Sequence, residues 1–255
     1  MTRWLMVATL ALVACSDKKL TAAPDAGRST PLVPMEPLAR AAPEGDAGEV
    51  YFAIIPLPPV GPVAPAESTR IVLDGEMAPW TGGAKPVVLV AREDTYLAQV
   101  AALLASLDDA GATVWLAHPD VAVAYPVTLR DEPAFNRWLD EPVPGKLRVV
   151  HRQDGFELQT NMGKMPGPDI NGPTVPVRGG KWDLTTLQRG FGRIKTRFPD
   201  APDVCFMPSF GMPMADVARA VSANWLSADE TKFSSVCLVY PRPVVKAADA
   251  GSAAK

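Results

Sequence analysis

Short apolar runs alternate with amphipathic segments between residues 71 and 240, and this alternation restricts the fold more than any other feature. The runs at residues 87–90, 204–207 and 236–240 have the length and composition of buried strands. Two segments between such runs carry apolar residues at offsets 0, 3, 7 and 10, the spacing of one helix face. These residues are Leu97, Val100, Leu104 and Leu107 in the first segment and Leu184, Leu187, Phe191 and Ile194 in the second. The pattern predicts an α+β fold with an α/β-like order of elements.

The first unit is predicted to span residues 70–145. Asp94 or Thr95 can cap its main helix, and Gly111 ends that helix. The predicted elements are strands at 71–73, 87–90 and 113–116, a helix over 97–107 and a short helix over 134–139.

The second unit is predicted to span residues 146–243. Asp154-Gly155 is a hairpin turn signal, Asp183 can cap the following helix, and Pro199 stops that helix. A second helix begins near Pro213, at its first turn. The predicted strands are 147–150, 156–158, 204–207 and 236–240. The shared order of elements predicts an internal duplication, with two related strand-helix-strand units on mixed sheets.

The N-terminus has the features of a secretory signal. Arg3 precedes an apolar run of only 11 residues, 4–14, whereas a membrane-spanning helix needs about 20. The run ends in Leu12-Val13-Ala14-Cys15, which resembles the lipobox of bacterial lipoproteins. We therefore predict a lipoprotein signal peptide over residues 1–14 and lipidation of Cys15. The alternative is an ordinary secretory signal with Cys15 near the cleavage site.

A long spacer is predicted after the signal peptide. Residues 15–69 are rich in Pro and Ala and lack periodicity, which is typical of a flexible tether. Within the spacer, the apolar run 51–55 either docks as an edge strand or stays extended, because prolines follow it. The Ala- and Asp-rich tail, residues 244–255, is predicted to be disordered.

The redox state of the predicted compartment determines how the other two cysteines are interpreted. A lipid-anchored protein faces an oxidising space, so Cys205 and Cys237, each within an apolar run, are candidates for a disulfide. The alternative is two buried thiols. Two His and three Cys are too few for a zinc site with four Cys or His ligands. No metal and no cofactor are predicted.

Charge and motifs exclude several functions. A formal net charge of −3 gives no electrostatic reason to bind nucleic acid. No Gly-x-Ser-x-Gly motif is present, and His118 and His151 are the two imidazole bases. No catalytic residue is therefore predicted, and the chain is expected not to be an enzyme. An enzyme would need a cleft that brings one of these histidines to a serine or a carboxylate. The tryptophans are expected to pack mostly in the core, the alternative being a sugar-binding surface.

The second unit resembles the periplasmic domain of the ExbD/TolR family of biopolymer transport proteins. The resemblance runs through the hairpin with its Asp154-Gly155 turn, the helix of 184–198, the strand 204–207, Met212-Pro213, the helix of 217–225 and the strand 236–240. The first unit resembles the family more faintly. Family members carry an N-terminal transmembrane helix with an Asp, for which this chain offers no candidate. Ser209 and Met214 also depart in type from the family pattern.

Together with the predicted lipidation of Cys15, the resemblance implies a non-enzymatic, lipid-anchored protein of the cell envelope that faces the periplasm from the outer or inner membrane. It implies an accessory or scaffold role in an energy-transducing transport complex. The implied partners are the membrane through the lipid, a second copy or ExbD/TolR/ExbB-type proteins, and peptidoglycan. The alternative function is a lipoprotein that binds a solute or glycan, which a concave pocket lined by tryptophan would favour.

Overall fold

The computed structural model describes residues 59–243. The predicted signal peptide, Cys15, most of the predicted tether, the run 51–55 and the tail lie outside the described residues. Within residues 59–243 the chain forms ten strands and four helices. The strands are β1 (Thr69–Leu73), β2 (Val87–Ala91), β3 (Val114–Ala117), β4 (Ala124–Arg130), β5 (Leu147–Arg152), β6 (Gly155–Thr160), β7 (Gly163–Lys164), β8 (Val175–Pro176), β9 (Asp203–Met207) and β10 (Ser235–Val239). The helices are α1 (Leu97–Asp109), α2 (Glu132–Asp140), α3 (Leu184–Arg197) and α4 (Met214–Ser222).

The strands join in one mixed sheet, in the order β1-β2-β3-β4-β10-β9-β5-β6-β7, with β8 beside β6. Strands β1, β2 and β3 are parallel, and β4 is antiparallel to β3. Strand β4 changes its neighbour along its length, because residues 124–127 pair with β3 and residues 128–130 pair with β10. The predicted α+β class with mixed pairing is confirmed, and both halves of the chain contribute to the same sheet.

The period-two alternation of β9 and β10 divides the core in two. Val204, Phe206, Val236 and Leu238 join the large apolar cluster that contains the buried residues of α1, α3 and α4. Their neighbours Cys205 and Cys237 join a second cluster with Phe135 and Trp138 of α2. Because successive side chains of a strand point to opposite faces, α2 covers the face opposite the other three helices.

Local signals in the second half predict its elements correctly. Strands β5 and β6 form the expected antiparallel hairpin around Asp154. Asp183 is the N-cap of α3, and its carboxylate accepts the backbone N–H of Thr186 at 2.9 Å. Helix α3 ends at Arg197, two residues before Pro199. These predictions are confirmed because each depends on a local hydrogen bond or a local steric restriction.

The cap predicted for α1 is wrong. The N-cap is Tyr96, not Asp94 or Thr95. The backbone N–H of Tyr96 donates to Oε1 of Gln99 at 2.8 Å. The Thr95 hydroxyl donates instead to the Leu73 carbonyl at 2.8 Å, which connects the end of β1 to the start of α1. A tertiary hydrogen bond therefore replaces the expected local cap.

The predicted duplication does not extend to strand direction. Strands β1 and β2 are parallel, whereas the corresponding pair β5 and β6 is antiparallel. Strands β3 and β4 are antiparallel, whereas β9 and β10 are parallel and joined through α4. The matching apolar offsets of α1 and α3 show only that both helices have one buried face, since this spacing is common to amphipathic helices.

The first described residues pack against the sheet. The Tyr125 hydroxyl donates to the Val60 carbonyl at 3.2 Å, and the Ala124 backbone N–H donates to the Pro62 carbonyl at 3.0 Å. Gly61 is buried beside the Tyr125 ring, where a Cβ would clash. The folded part therefore begins before residue 69, where the predicted tether ends. Across residues 59–243, no helix combines the length and the apolar character needed to cross a bilayer.

Candidate functional site

Two cavities that share Trp182 form the main concave surface of residues 59–243, and we call them together the Trp182 groove. One cavity has a volume of about 770 Å³ and the other about 910 Å³. The first is lined by Asp120, Arg178, residues 180–185, Arg189, Asp216 and Arg219. The second is lined by residues 151–154, Trp182, Ser209, Phe210, Gly211 and Pro213.

The position of Trp182 is fixed by the turn that precedes it and by two rings of the β5-β6 hairpin. Arg178 and Lys181 pair through two backbone hydrogen bonds of 2.9 and 3.0 Å around Gly179 and Gly180. Both glycines have positive φ, of 55° and 74°, which residues with a Cβ rarely adopt. The indole then packs on His151 and Phe156, with ring centroids 4.8 and 5.0 Å away. The turn and the hairpin thus fix one aromatic wall of the groove.

His151 contacts Ser209 in the second cavity. Nδ1 of His151 lies 2.6 Å from the Ser209 hydroxyl and 3.4 Å from the Ser209 backbone nitrogen, whose N–H donates to it. With Nδ1 acting as acceptor, the ring proton of the neutral imidazole is on Nε2. Burial lowers the pKa of His151, so the imidazole is neutral at neutral pH.

This contact does not complete a hydrolase triad. A Ser-His catalytic pair uses the second ring nitrogen to donate to an orienting acceptor. His151 Nε2 is buried and has no hydrogen-bond partner among the residues that the structure describes. The imidazolium that forms during catalysis would therefore lack stabilisation. The geometry instead indicates that His151 holds the loop after β9 against β5.

Arg219 of α4, which lines the first cavity, connects three segments of the chain. Its guanidinium pairs with Asp120 after β3, Asp216 in its own helix and Glu93 after β2, through bonds of 2.9, 2.9 and 3.0 Å. These hydrogen bonds raise the pKa of Arg219 and lower the pKa of Glu93 and of Asp120. The Arg219 cluster, defined as these four side chains, joins the first half of the chain to the second.

His118 lies beside the Arg219 cluster. The Asp120 backbone N–H donates to His118 Nδ1 at 3.1 Å, and only 5% of the residue is exposed. Burial is the main cause that lowers the pKa of His118. Its Nε2 also has no partner within residues 59–243. His118 therefore closes a strand-end turn and lines neither cavity of the groove.

We expect Arg219→Gln to destabilise the protein by about 1 kcal/mol at neutral pH, since two of its three carboxylate partners, Glu93 and Asp120, are largely exposed and solvent weakens such pairs. The pKa values of Glu93 and Asp120 are lowered, so their stabilisation is present above the unfolded values near 4 and is lost as pH falls through the folded values. Urea unfolding at about pH 7 and about pH 2.5 tests this expectation.

The matched control is Arg70→Gln, because Arg70 is exposed and forms no ion pair in the described part of the chain. The difference in the free energy of unfolding between wild type and Arg219→Gln should be smaller at acid pH. The difference between wild type and Arg70→Gln should be the same at both pH values. An equal loss from Arg219→Gln at both pH values would contradict the electrostatic origin.

Cys205 and Cys237 form a disulfide in the structure, with their Cα atoms 4.4 Å apart. They are paired residues of the neighbouring strands β9 and β10, so both side chains point to the same face of the sheet. Phe135 and Trp138 of α2 cover them. Of the two alternatives that the sequence left open, the structure has the bonded one. Cys15 lies outside the described residues.

The tryptophans of residues 59–243 have different surroundings. Trp138 and Trp225 are buried, whereas Trp80, Trp115 and Trp182 are partly exposed. Sequence reasoning did not single out Trp182, Arg219 or the pair of Ser209 with His151. The turn glycines before Trp182 were a usable signal. The pair of Arg219 with Asp216 is local, but its pairs with Asp120 and Glu93 left no trace in the sequence, because these partners are 99 and 126 residues away.

In residues 59–243, no three His, Cys, Asp or Glu side chains gather as metal ligands. Comparison of the chain with protein-family models, with curated proteins and with solved structures finds no match. The function must therefore be inferred from the geometry of the chain itself.

Proposed function

We propose that this chain is a non-enzymatic, lipid-anchored envelope protein of the ExbD/TolR type that acts as an accessory or scaffold in an energy-transducing transport complex. The supporting observation is the order of elements over residues 147–239. Apart from the two-residue strands β7 and β8, which lie between β6 and α3, the order is hairpin β5-β6, helix α3, strand β9, a loop with Pro213, helix α4 and strand β10. This order is the one that the resemblance implies. The lipid at Cys15 would hold the folded domain at a membrane.

The proposed scaffold role has a surface suited to it in the edge strand β1. In residues 59–243 the only strand paired with β1 is β2. The Thr69 backbone N–H donates to the Pro86 carbonyl at 2.9 Å, so in a parallel ladder the amides of Arg70 and Val72 point to the open side. Val72 is also 49% exposed. A partner strand can add to such an edge through backbone hydrogen bonds.

We expect Val72→Pro to abolish partner capture while the domain stays folded. Proline removes one outward N–H, and an edge strand tolerates it there. The measurement is affinity purification of the full-length tagged chain from cross-linked, detergent-solubilised envelopes, followed by mass spectrometry. Wild type should recover a proton-channel subunit or ExbD/TolR-type chains, and Val72→Pro should recover neither.

Two controls make this result specific. Val72→Thr keeps the outward N–H and should capture partners like wild type. Circular dichroism should show that Val72→Pro retains its helices. Absence of such partners from the wild-type sample would overturn the proposed role, and equal capture by Val72→Pro would exclude β1 as the contact.

The Trp182 groove favours a second candidate function, the binding of a solute or glycan. Its volume of about 770 Å³ on one side of Trp182 is within the range of small-molecule sites. An indole wall beside charged side chains is suited to a polar ring, which stacks on the indole and hydrogen-bonds at its rim. Failure to recover envelope partners would make this function the leading one.

A further inference from the structure

Helix α3 is unusually basic for a chain with a net charge of −3. Between residues 184 and 197 it carries Arg189, Arg193, Lys195 and Arg197 and no acidic residue. Arg189, Arg193 and Arg197 are exposed and four residues apart. Side chains at this spacing lie along one side of a helix and here span about 12 Å. We call these three arginines the α3 stripe.

The packing of α3 fixes where the stripe points. Leu187, Phe191 and Ile194 are buried in the large core. Gly190 lies so close to the Leu158 side chain that a Cβ would clash with it. The helix is therefore held firmly by its apolar side, and the stripe occupies exposed positions of a rigid element.

Several other arginines of residues 59–243 pair with carboxylates, and the stripe differs from unpaired arginines such as Arg70 by its spacing along one helix. Arg152, Arg178, Arg219 and Arg242 each pair with a carboxylate within 3.1 Å. No stripe arginine pairs with a carboxylate of residues 59–243. The neighbouring Lys195 is used within the fold, because its ammonium donates to the carbonyls of Pro199 and Ala201. Three guanidinium groups on one packed helix thus remain without an anionic partner in the described chain.

We propose that the α3 stripe binds the phosphate headgroups of an anionic lipid surface. Guanidinium groups bind phosphate oxygens through two parallel hydrogen bonds, and a straight row of them matches a flat array of headgroups. No large apolar side chain interrupts the exposed stripe positions, so the contact is adsorption to the surface rather than insertion.

A lipid surface is favoured over a soluble polyanion for one reason that rests on the proposed function. A lipid at Cys15 would keep α3 no farther from a bilayer than the length of the predicted tether, which would raise the local concentration of headgroups. Nucleic acid would gain no such local concentration from a lipid at Cys15. Binding of the stripe to the membrane would orient the domain, so that the edge strand β1 would have a fixed orientation relative to the membrane.

The experiment uses the chain from residue 16 onward, which lacks the lipid-bearing cysteine. Vesicles of phosphatidylcholine with about one third phosphatidylglycerol are compared with vesicles of phosphatidylcholine alone in a flotation assay at low salt. Arg189→Gln, Arg193→Gln and Arg197→Gln together should lower partitioning by about 10- to 100-fold, because each basic side chain near an anionic leaflet contributes up to about fivefold. High salt should remove binding of the wild type.

The matched control removes the same charge elsewhere. Arg70→Gln, Lys85→Gln and Arg137→Gln together change three exposed side chains outside α3, and this variant should partition within about twofold of wild type. Circular dichroism verifies that both triple variants fold.

Three outcomes would overturn the proposal: equal partitioning to both kinds of vesicle, equal losses in the two triple variants, or stripe-dependent binding of duplex DNA without binding of vesicles. Because the assay omits the lipid, its result is separate from the proposed anchoring. Anchoring is tested by the mass of the chain purified from membranes, which should include acyl groups on Cys15.

Discussion

Trp138→Ala is expected to lower the free energy of unfolding by about 3 to 5 kcal/mol. Only 1% of Trp138 is exposed, and its ring stacks on Phe135 with centroids 5.5 Å apart. Its indole N–H donates to Oδ2 of Asp203 at 3.0 Å, which connects α2 to β9. The Lys146 ammonium lies 5.0 Å from the ring centroid and donates to the Trp138 carbonyl. Alanine would leave a cavity beside a buried cation.

Urea unfolding followed by circular dichroism measures this loss. Trp138→Phe is the matched control, because it retains a ring over the disulfide and loses only the N–H and part of the volume. It should destabilise less than Trp138→Ala, by about 1 to 2 kcal/mol. A loss below about 1 kcal/mol for Trp138→Ala would contradict the role of α2 as the cover of this face.

Removal of the disulfide by Cys205→Ala with Cys237→Ala is expected to lower the free energy of unfolding by about 3 to 4 kcal/mol. The cysteines are separated by 32 residues, and closing a loop of this length restricts the unfolded chain by about that amount in the chain-entropy model. The folded state should change little, because β9 and β10 are already paired through four residue positions.

Unfolding with and without dithiothreitol tests the role of the bond. Wild type should lose stability in the reductant, whereas the double variant should be insensitive to it. Because Cys205 and Cys237 are buried beneath α2, reduction of the native protein should be slow and should accelerate near the unfolding midpoint. Equal stabilities of wild type and variant in oxidising buffer would contradict this prediction.

Features of this fold that depend on neighbouring residues were predictable from the sequence, whereas features that depend on tertiary contacts were not. The turn at Asp154, the cap at Asp183 and the apolar face of α3 were predictable, because their causes lie within a few residues. The directions of β1 and β4 were not, because the apolar pattern of a strand does not specify which strand becomes its neighbour or in which direction that neighbour runs. The N-cap of α1 was missed for a related reason, since a bond from Thr95 to Leu73 competes with capping.

The candidate site was less predictable than the fold. The disulfide was one of two alternatives, and Cys205 and Cys237 could be paired only once β9 and β10 were known to be neighbours. The Trp182 groove depends on rings from His151 and Phe156 that meet the indole across a turn. The Arg219 cluster depends on loops that converge in three dimensions. Neither arrangement follows from spacing along the chain.

The division of β4 between two neighbours restricts how this chain can change in evolution. Tyr125, Val127 and Leu129 alternate toward the large core, first beside β3 and then beside β10. Inserting or deleting one residue within β4 would turn the side chains of the following β4 residues to the opposite face of the sheet. We therefore expect insertions and deletions among related sequences to fall in the loops. We also expect the two halves of the domain to occur together in one chain.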